Sequence, residues 1–372
     1  FTKIDIVGEN AYMGIDLSAR RNLELCETLR NKEKKGSLLW VMDKTETSMG
    51  KRLLKSYIEQ PLLSPARIIE RLDAVEILTK NSLTLMELRD LLDKVYDIER
   101  LMTRVMYKTA TPRDLKALSA TSLMLPDIKK QLENVSDSKL LSSLNKDIFT
   151  LDEIANLIEN SIVDEPPVAV KDGGVIKEGF NAQLDELRGI MSGGTDIISG
   201  IEEREKERTG IKTLKVGYNK VFGYYIEVSK GMTNLVKNEY GYERKQTLSN
   251  CERYISPILK EKEALILNAE ERIIELEYQL FISIRDKVKE FIPQLQEISR
   301  IISEIDVLQS FATVAEENNY IRPKLTEKRE VSIIEGRHAV VEKVLDTEYV
   351  YNDIVMDEDT NILLITGPNM SG

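Results

Sequence analysis

Two glycines at the end of the sequence have the spacing of a phosphate-binding loop. Gly367 and Gly372 enclose GPNMSG, as in the pattern G-x-x-x-x-G-K-[ST]. Backbone N–H groups of such a loop converge on phosphate oxygens, and its Lys and hydroxyl meet the terminal phosphates and Mg²⁺. Both side chains would follow Gly372, where the sequence given stops. We therefore expect half a nucleotide site, made by Gly367, Pro368, Asn369, Met370, Ser371 and Gly372.

A second chemical signal lies in residues 209–254, which we call the insert. It holds six of the fourteen tyrosines, and eight Lys and Arg against four Glu give it a net charge of +4. Because the whole chain carries −11, the remainder carries −15. A basic, tyrosine-rich segment on an acidic body indicates a nucleic-acid contact by electrostatics. The acidic remainder argues against a wholly basic binding surface.

The other reactive residue types are scarce. His338 is the single histidine, and it has no cluster of cysteines or carboxylates at ligand spacing, so we expect no metal site and no His-based catalytic triad. We interpret its role as structural. Two distant cysteines and no run of 18 apolar residues predict a cytoplasmic protein without a membrane segment.

Helices must position these groups. Residues 12–175 have helical character, with Ser64-Pro65 and Thr111-Pro112 as helix starts. An apolar helical stripe is predicted at Leu83, Leu85, Leu88, Leu91, Leu92 and Val95. Two long helices, Asn181–Arg208 and Pro257–Phe291, enclose the insert, and 34 residues give about 50 Å of rod. Within the insert, TLKVGYNKVFGYYIEVSK alternates as a strand pair should.

From about Val331 the pattern changes to short β-type runs: VSIIEGRHAVVEKVL, YVYNDIVM and NILLIT, the last with a buried strand at 362–365. The sequence thus predicts a mainly α fold. Long antiparallel helices rest on a helical core, a small β-rich piece is inserted at their tip, and a short β-rich segment follows. We divide the chain into a core with levers (1–175 and 256–328), the β-rich piece with its flanking helix (176–255) and a C-terminal part (329–372).

The ordered motifs of this chain resemble the MutS family of DNA mismatch-repair proteins. The resemblance rests on IDLSARRNLEL, MGKRLLKSYIEQPL, DIER, TATPRDL, KDGGVIKEGFNAQLDELR, GYNKVFGYYIEVSK, RKQTLSNCERYISPIL, EGRHAVVE and ITGPNMSG. It covers essentially the whole chain. The family usually has proline where this chain has Ala339, a minor departure.

The resemblance implies the core, lever and clamp region of such a protein, with only the start of its ATPase domain. It implies ATP and Mg²⁺ as cofactors of the longer parent, a homodimer, and the mismatch-repair factor MutL as a partner. Tyr349 would stack on adenine. The clamp would hold duplex DNA by its backbone. Side chains that bind phosphates position a protein on DNA without reading its sequence. The candidate contacts are Lys215, Asn219, Lys220, Lys230, Arg244, Lys245, Ser249 and Asn250.

Two alternatives remain open from the sequence. One is a structural coiled-coil spacer, which would have heptads and a polar tip; the basic, tyrosine-rich insert counts against it. The other is a related P-loop ATPase with a clamp-independent helical scaffold, which would lack residues 209–254.

The incomplete loop generates a direct prediction. We expect the 372-residue chain to hydrolyse ATP no faster than background, because no lysine follows Gly372 to meet the terminal phosphates and no hydroxyl follows it to bind Mg²⁺. Phosphate release from purified chain measures this. Turnover that scales with protein concentration and survives further purification would show that the loop is functional as it stands.

Overall fold

The computed structural model describes residues 11–219, 221–360, 362–364 and 367, without the side chains of 193–198 and 265–267. This part of the chain is mainly helical, with small antiparallel sheets, which confirms the predicted fold class. Its α-helices are α1 (Leu17–Asn22), α2 (Leu38–Met42), α3 (Ser48–Glu59), α4 (Pro65–Lys80), α5 (Ser82–Leu92), α6 (Ile98–Met106), α7 (Pro112–Glu133), α8 (Lys139–Asp147), α9 (Asp152–Ser161), α10 (Ala182–Thr209), α11 (Pro257–Glu290), α12 (Ile292–Asn318) and α13 (Ala339–Val344).

Six strands and three short 3₁₀ helices complete the regular structure of the described residues. The strands are β1 (Lys215–Asn219), β2 (Gly223–Ser229), β3 (Glu243–Thr247), β4 (Cys251–Ile255), β5 (Val331–Gly336) and β6 (Asn352–Met356). The chain divides into two compact units. Unit 1 comprises Phe1–Thr103, Ala120–Ala155 and Phe291–Gly372, and unit 2 comprises Arg104–Ser119 and Asn156–Glu290.

Helix α12 is the central element of unit 1. Its buried residues occur all around the helix, and α3, α4 and α5 pack against it. A helix buried on every side should be apolar throughout, but α12 also buries Asp306, Gln309 and Ser310. These polar groups must therefore have partners inside the core.

Asp306 finds its partners at the start of α3. One carboxylate oxygen accepts from the backbone N–H of Thr47 at 2.8 Å and from its hydroxyl at 2.6 Å, and the other accepts from the Glu46 N–H at 3.0 Å and from Gln309 Nε2 at 2.8 Å. Thr47 in turn accepts from the Gly50 N–H as the N-cap of α3. Any side chain at Gly50 would collide with the Asp306 carboxylate. Burial raises the pKa of Asp306 above its ordinary value, although these donors oppose the shift.

Three details of the sequence prediction are wrong. Leu83 is 65% exposed and does not belong to the buried stripe of Leu85, Leu88 and Leu92, since this second residue of α5 lies on the opposite side of the helix. Residues 339–344, predicted as β-type, form α13, because His338 Nδ1 accepts from the N–H groups of Val340 and Val341. That contact confirms the structural role expected for His338.

The third correction concerns the strand predicted at 362–365. Residues 362–364 form no strand, and Ile362 and Leu364 are 85% and 88% exposed. A strand needs a neighbour for its N–H and C=O groups, and in the described part β5 and β6 pair only with each other. The apolar run is therefore neither paired nor covered by the described residues.

Unit 2 is built on the helix pair α10 and α11, which bracket the insert as predicted. Asn181 caps the start of α10, and Gly210 ends it in the left-handed conformation. Arg188, in the first half of α10, forms an ion pair of 2.5 Å with Glu277, in the second half of α11. Ile201, in the second half of α10, shares an apolar cluster with Leu259 at the start of α11, so the helices are antiparallel. Glu277 is fully buried, and its other oxygen accepts from the Val175 N–H at 3.1 Å.

The Asp306 network generates a prediction for unit 1. We expect Asp306→Asn to lower the free energy of unfolding by about 2 kcal/mol or more. In either orientation of the amide, its NH₂ group would face two buried donors and could accept a hydrogen bond from neither. Urea unfolding followed by the fluorescence of Trp40, the single tryptophan, reports on this unit. Exposed Asp93→Asn is the matched control and should change the value by less than about 0.5 kcal/mol. Equal stability of the two variants would contradict the role given to Asp306.

Candidate nucleic-acid interface

The insert folds into a four-stranded antiparallel sheet with the order β1-β2-β4-β3. The sequence predicted the β1–β2 pair from its alternation; β3 and β4 form a second hairpin. One face is apolar and carries Ile226, Val228 and Tyr254. It is buried on side chains from the ends of the two long helices and the segment after α10: Ile201, Ile211, Leu214 and Leu259. The sheet therefore sits on the helix pair and leaves its other face and its ends for contacts.

Tyr225 on the opposite face is a packing residue. Its ring lies over Gly217, where a Cβ atom would come within 2.7 Å, and Arg253 covers the ring at 4.4 Å from the centroid. Arg253 is in turn held by Glu227 at 3.0 Å. Only 9% of Tyr225 is exposed, so its ring is not available to stack on a base.

Carboxylates of the long helices hold the sheet in place. Glu202 of α10 accepts from the Val216 N–H at 2.9 Å, and Glu263 of α11 accepts from the Tyr224 N–H at 3.3 Å. Glu205, 3% exposed, accepts from the hydroxyl of Tyr242 and pairs with Arg208 at 2.6 Å. Hydrogen bonds from Lys206 and from Val216 lower the pKa of Glu202, so it stays an ionised acceptor at neutral pH.

The eight candidate contacts do not form one patch. Arg244 and Lys245 lie on β3, at the opposite edge of the sheet from β1, and both have acidic partners: Glu252 at 3.5 Å and Glu243. Asn219 accepts from the Val221 N–H at 2.8 Å in the β1–β2 turn. Lys220 lies outside the described residues.

The remaining four candidates meet at one end of the sheet. Lys215 begins β1, Lys230 follows the end of β2, and Ser249 and Asn250 form the turn between β3 and β4. The Lys230 N–H donates to the Asn250 carbonyl at 2.9 Å, and the hydroxyls of Thr213 and Ser229 lie 2.8 Å apart across the first two strands. We call this group, with Lys212, the lysine end: Lys212, Thr213, Lys215, Ser229, Lys230, Ser249 and Asn250.

The lysines of the lysine end form no ion pairs among the described residues. Lys212, Lys215 and Lys230 are exposed, and no ion pair to any of them occurs among the residues that the structure describes. By contrast, Lys237, Arg244, Lys245 and Arg253 all pair with glutamates. Sequence reasoning missed Lys212, Thr213 and Ser229 as members. The signal was available in part, because Lys212 directly precedes the alternating run and Thr213 and Ser229 belong to it.

The phosphate turn does not amount to a nucleotide site in the described residues. Gly367 is described, whereas Pro368, Asn369, Met370, Ser371 and Gly372 lie outside them. Half-buried Tyr349 lies against Tyr351, with ring centroids 6.4 Å apart. One glycine and one tyrosine do not hold a triphosphate or Mg²⁺.

Neither a cluster of metal-ligating side chains nor a membrane-spanning helix occurs in the described part of the chain. No group of three or more histidine, cysteine or acidic side chains is placed to hold a metal ion. None of the helices described combines the length and apolar character needed to cross a membrane.

Gly223 generates a prediction about the sheet. Its φ is +82°, and a side chain there would collide with the Glu263 carboxylate. We expect Gly223→Ala to accelerate amide exchange in β1 and β2 about tenfold or more, since the left-handed conformation alone costs about 1–2 kcal/mol for alanine. Mass spectrometry of hydrogen exchange measures this. Gly231→Ala, where no atom would lie within 4 Å of the new carbon, should leave exchange unchanged, and equal behaviour of the two variants would refute the packing described.

Comparison with known proteins gives a consistent match. The family model of MutS domain III matches residues 18–312. Proteins named DNA mismatch repair protein MutS are similar over nearly the whole chain: 50% identical over 99% of it in Bacillus cytotoxicus, 50% over 100% in Alkaliphilus oremlandii and 51% over 97% in Ruminiclostridium cellulolyticum. The chain spans 41–42% of the length of these relatives. The chain therefore belongs to the MutS family and carries its domain III.

Proposed function

We propose that this chain is the DNA-clamping and signal-transmitting region of a MutS-type mismatch-repair protein, and that the lysine end contacts the backbone of duplex DNA. The observation that carries this proposal is a set of three exposed lysines without ion pairs among the described residues, which the fold brings together beside two hydroxyls and the Ser249–Asn250 turn. Lys, Ser, Thr and Asn are the side chains that bind phosphate oxygens. Arg244 and Lys245 contribute less to this proposal, because neighbouring glutamates already neutralise them.

The contact should be independent of DNA sequence. Stacking on a base requires an exposed ring, and the seven residues of the lysine end include no aromatic side chain. A lysine that meets a phosphate adds affinity to every duplex equally. The proposed role is thus to hold DNA and not to find a mismatch.

The wider role rests on the family. The relatives are named for DNA mismatch repair, and the chain spans 41–42% of their length. We therefore propose that the chain is part of a longer protein that uses ATP and Mg²⁺, forms a homodimer and works with MutL in the cytoplasm. In the proposed division, 1–175 and 256–328 are core and levers, 176–255 is the clamp with its flanking helix, and 329–372 begins the ATPase domain. The levers would couple the nucleotide site to the clamp; the chain alone would not be an enzyme.

We expect the 372-residue chain to bind duplex DNA weakly, with affinity that falls steeply with salt and is equal for matched and mismatched duplexes. Lys215→Ala together with Lys230→Ala should flatten the plot of log affinity against log salt by about 2, since each phosphate contact contributes about 0.9 to the slope. Fluorescence anisotropy with a labelled duplex, titrated at several salt concentrations, measures this.

The matched control removes the same charge elsewhere. Lys94 and Lys289 are exposed helix-end residues without an ion pair among the described residues, and Lys94→Ala with Lys289→Ala should leave the slope unchanged. Equal loss in both double variants would show that binding depends on overall charge and not on the lysine end. Absence of binding at low salt would favour the alternative, a clamp-independent helical scaffold or spacer.

A further inference from the structure

Helix α10 carries an unusual number of glycines in its interior. Residues 189–200 read GIMSGGTDIISG and include Gly189, Gly193, Gly194 and Gly200, all within the 28-residue helix. Each interior glycine lowers the equilibrium constant for local helix formation about fivefold relative to alanine, because glycine loses more backbone freedom on folding. The paired helix α11 has no glycine in its 34 residues. The weakness is therefore confined to one helix of the pair.

Packing does not explain the outermost two of these glycines. No atom would lie within 4 Å of a Cβ added at Gly189 or at Gly200, and neither has a left-handed φ. Gly217 and Gly223 in the sheet are different, because a side chain there would strike Tyr225 or Glu263. Where space and φ both permit any residue, the remaining property of glycine is its effect on the backbone.

The glycine-rich stretch lies between two anchored ends. On its N-terminal side, Arg188 is bound to Glu277 and donates to the Ile176 carbonyl at 2.7 Å. On its C-terminal side, Glu202 binds Lys206 and the Val216 N–H, and Glu205 binds Tyr242. Both ends of α10 are thus fixed to their surroundings by charged groups, whereas the middle is weakened.

We propose that residues 189–200 form a hinge in α10, at which the helix bends and lets the sheet move relative to the Arg188–Glu277 base of unit 2. Residues 201–209 of α10 move with the sheet, because Glu202 and Glu205 are hydrogen-bonded to residues of the insert. Continuous α11 limits the movement and restores the straight form. The hinge can be tested without DNA, so its failure would leave the proposed DNA contact intact.

Hydrogen exchange of the full 372-residue chain tests the local weakness. Peptides that cover 189–200 should exchange faster than those that cover 182–188 and 201–209 of the same helix. Gly189→Ala with Gly200→Ala should slow amide exchange in residues 189–200 about fivefold per substitution. Gly14→Ala, at a position in unit 1 that is equally free of neighbours, should not change exchange in residues 189–200. Equal protection along the whole of α10 in the unmodified chain would overturn the hinge.

Distance measurement tests the movement itself. Spin labels at Glu178→Cys, near the base, and Asn234→Cys, in the insert, would be placed in a chain with Cys26→Ser and Cys251→Ser; both labelled positions are exposed. The expected result is a broad distance distribution that narrows when Gly189 and Gly200 are both alanine. A distribution of the same width in the two chains would show that α10 does not bend at its glycines.

Discussion

The contact between Arg188 and Glu277 is the constraint on which unit 2 depends. Glu277 has no solvent exposure, so its charge must be met inside the protein, and both of its oxygens are used: one by Arg188 at 2.5 Å and one by the Val175 N–H at 3.1 Å. Breaking such a pair leaves an uncompensated buried charge, at a cost on the order of 3 kcal/mol. One side chain thereby fixes the position of α10 along α11 and of the segment that leads into α10.

The relative position of α10 and α11 determines how the sheet is held at the other end of the helix pair. Once Arg188 faces Glu277, Glu202 and Glu263 reach backbone N–H groups of β1 and β2, and the apolar face of the sheet meets Leu259 and Ile201. The acidic helices also neutralise part of the basic insert where the two meet. Exposed lysines without an ion pair among the described residues then remain at one end of the sheet: Lys212, Lys215 and Lys230. This distribution of charge supports the proposed base-independent contact with phosphates.

Local patterns predicted much of the fold. Proline at position 257, the apolar periodicity and the break at Pro293 placed α11 within one residue of its observed end at Glu290. What the sequence did not predict depends on partners that are distant along the chain. Arg244 looks as free as Lys230 in the sequence, and only the register of β3 on β4 brings Glu252 to it. In the sequence, Asp306 is a polar residue within an apolar helix, and its partners Glu46 and Thr47 lie some 260 positions earlier in the chain. Residues 339–344 were mistaken for β structure because their valines favour strands, while the cap by His338 decides for a helix.

The central claim is that the lysine end of the sheet touches the DNA backbone, and site-specific photo-crosslinking tests it most directly. A benzophenone amino acid would replace Ser249 at the lysine end, Arg244 at the far edge or Lys94 on the helical body, one position per chain, with a radiolabelled duplex at low salt. Crosslinking should be strong from Ser249, weaker from Arg244 and absent from Lys94, and it should be the same for matched and mismatched duplexes. Crosslinking from Lys94 that equals or exceeds that from Ser249 would contradict the account.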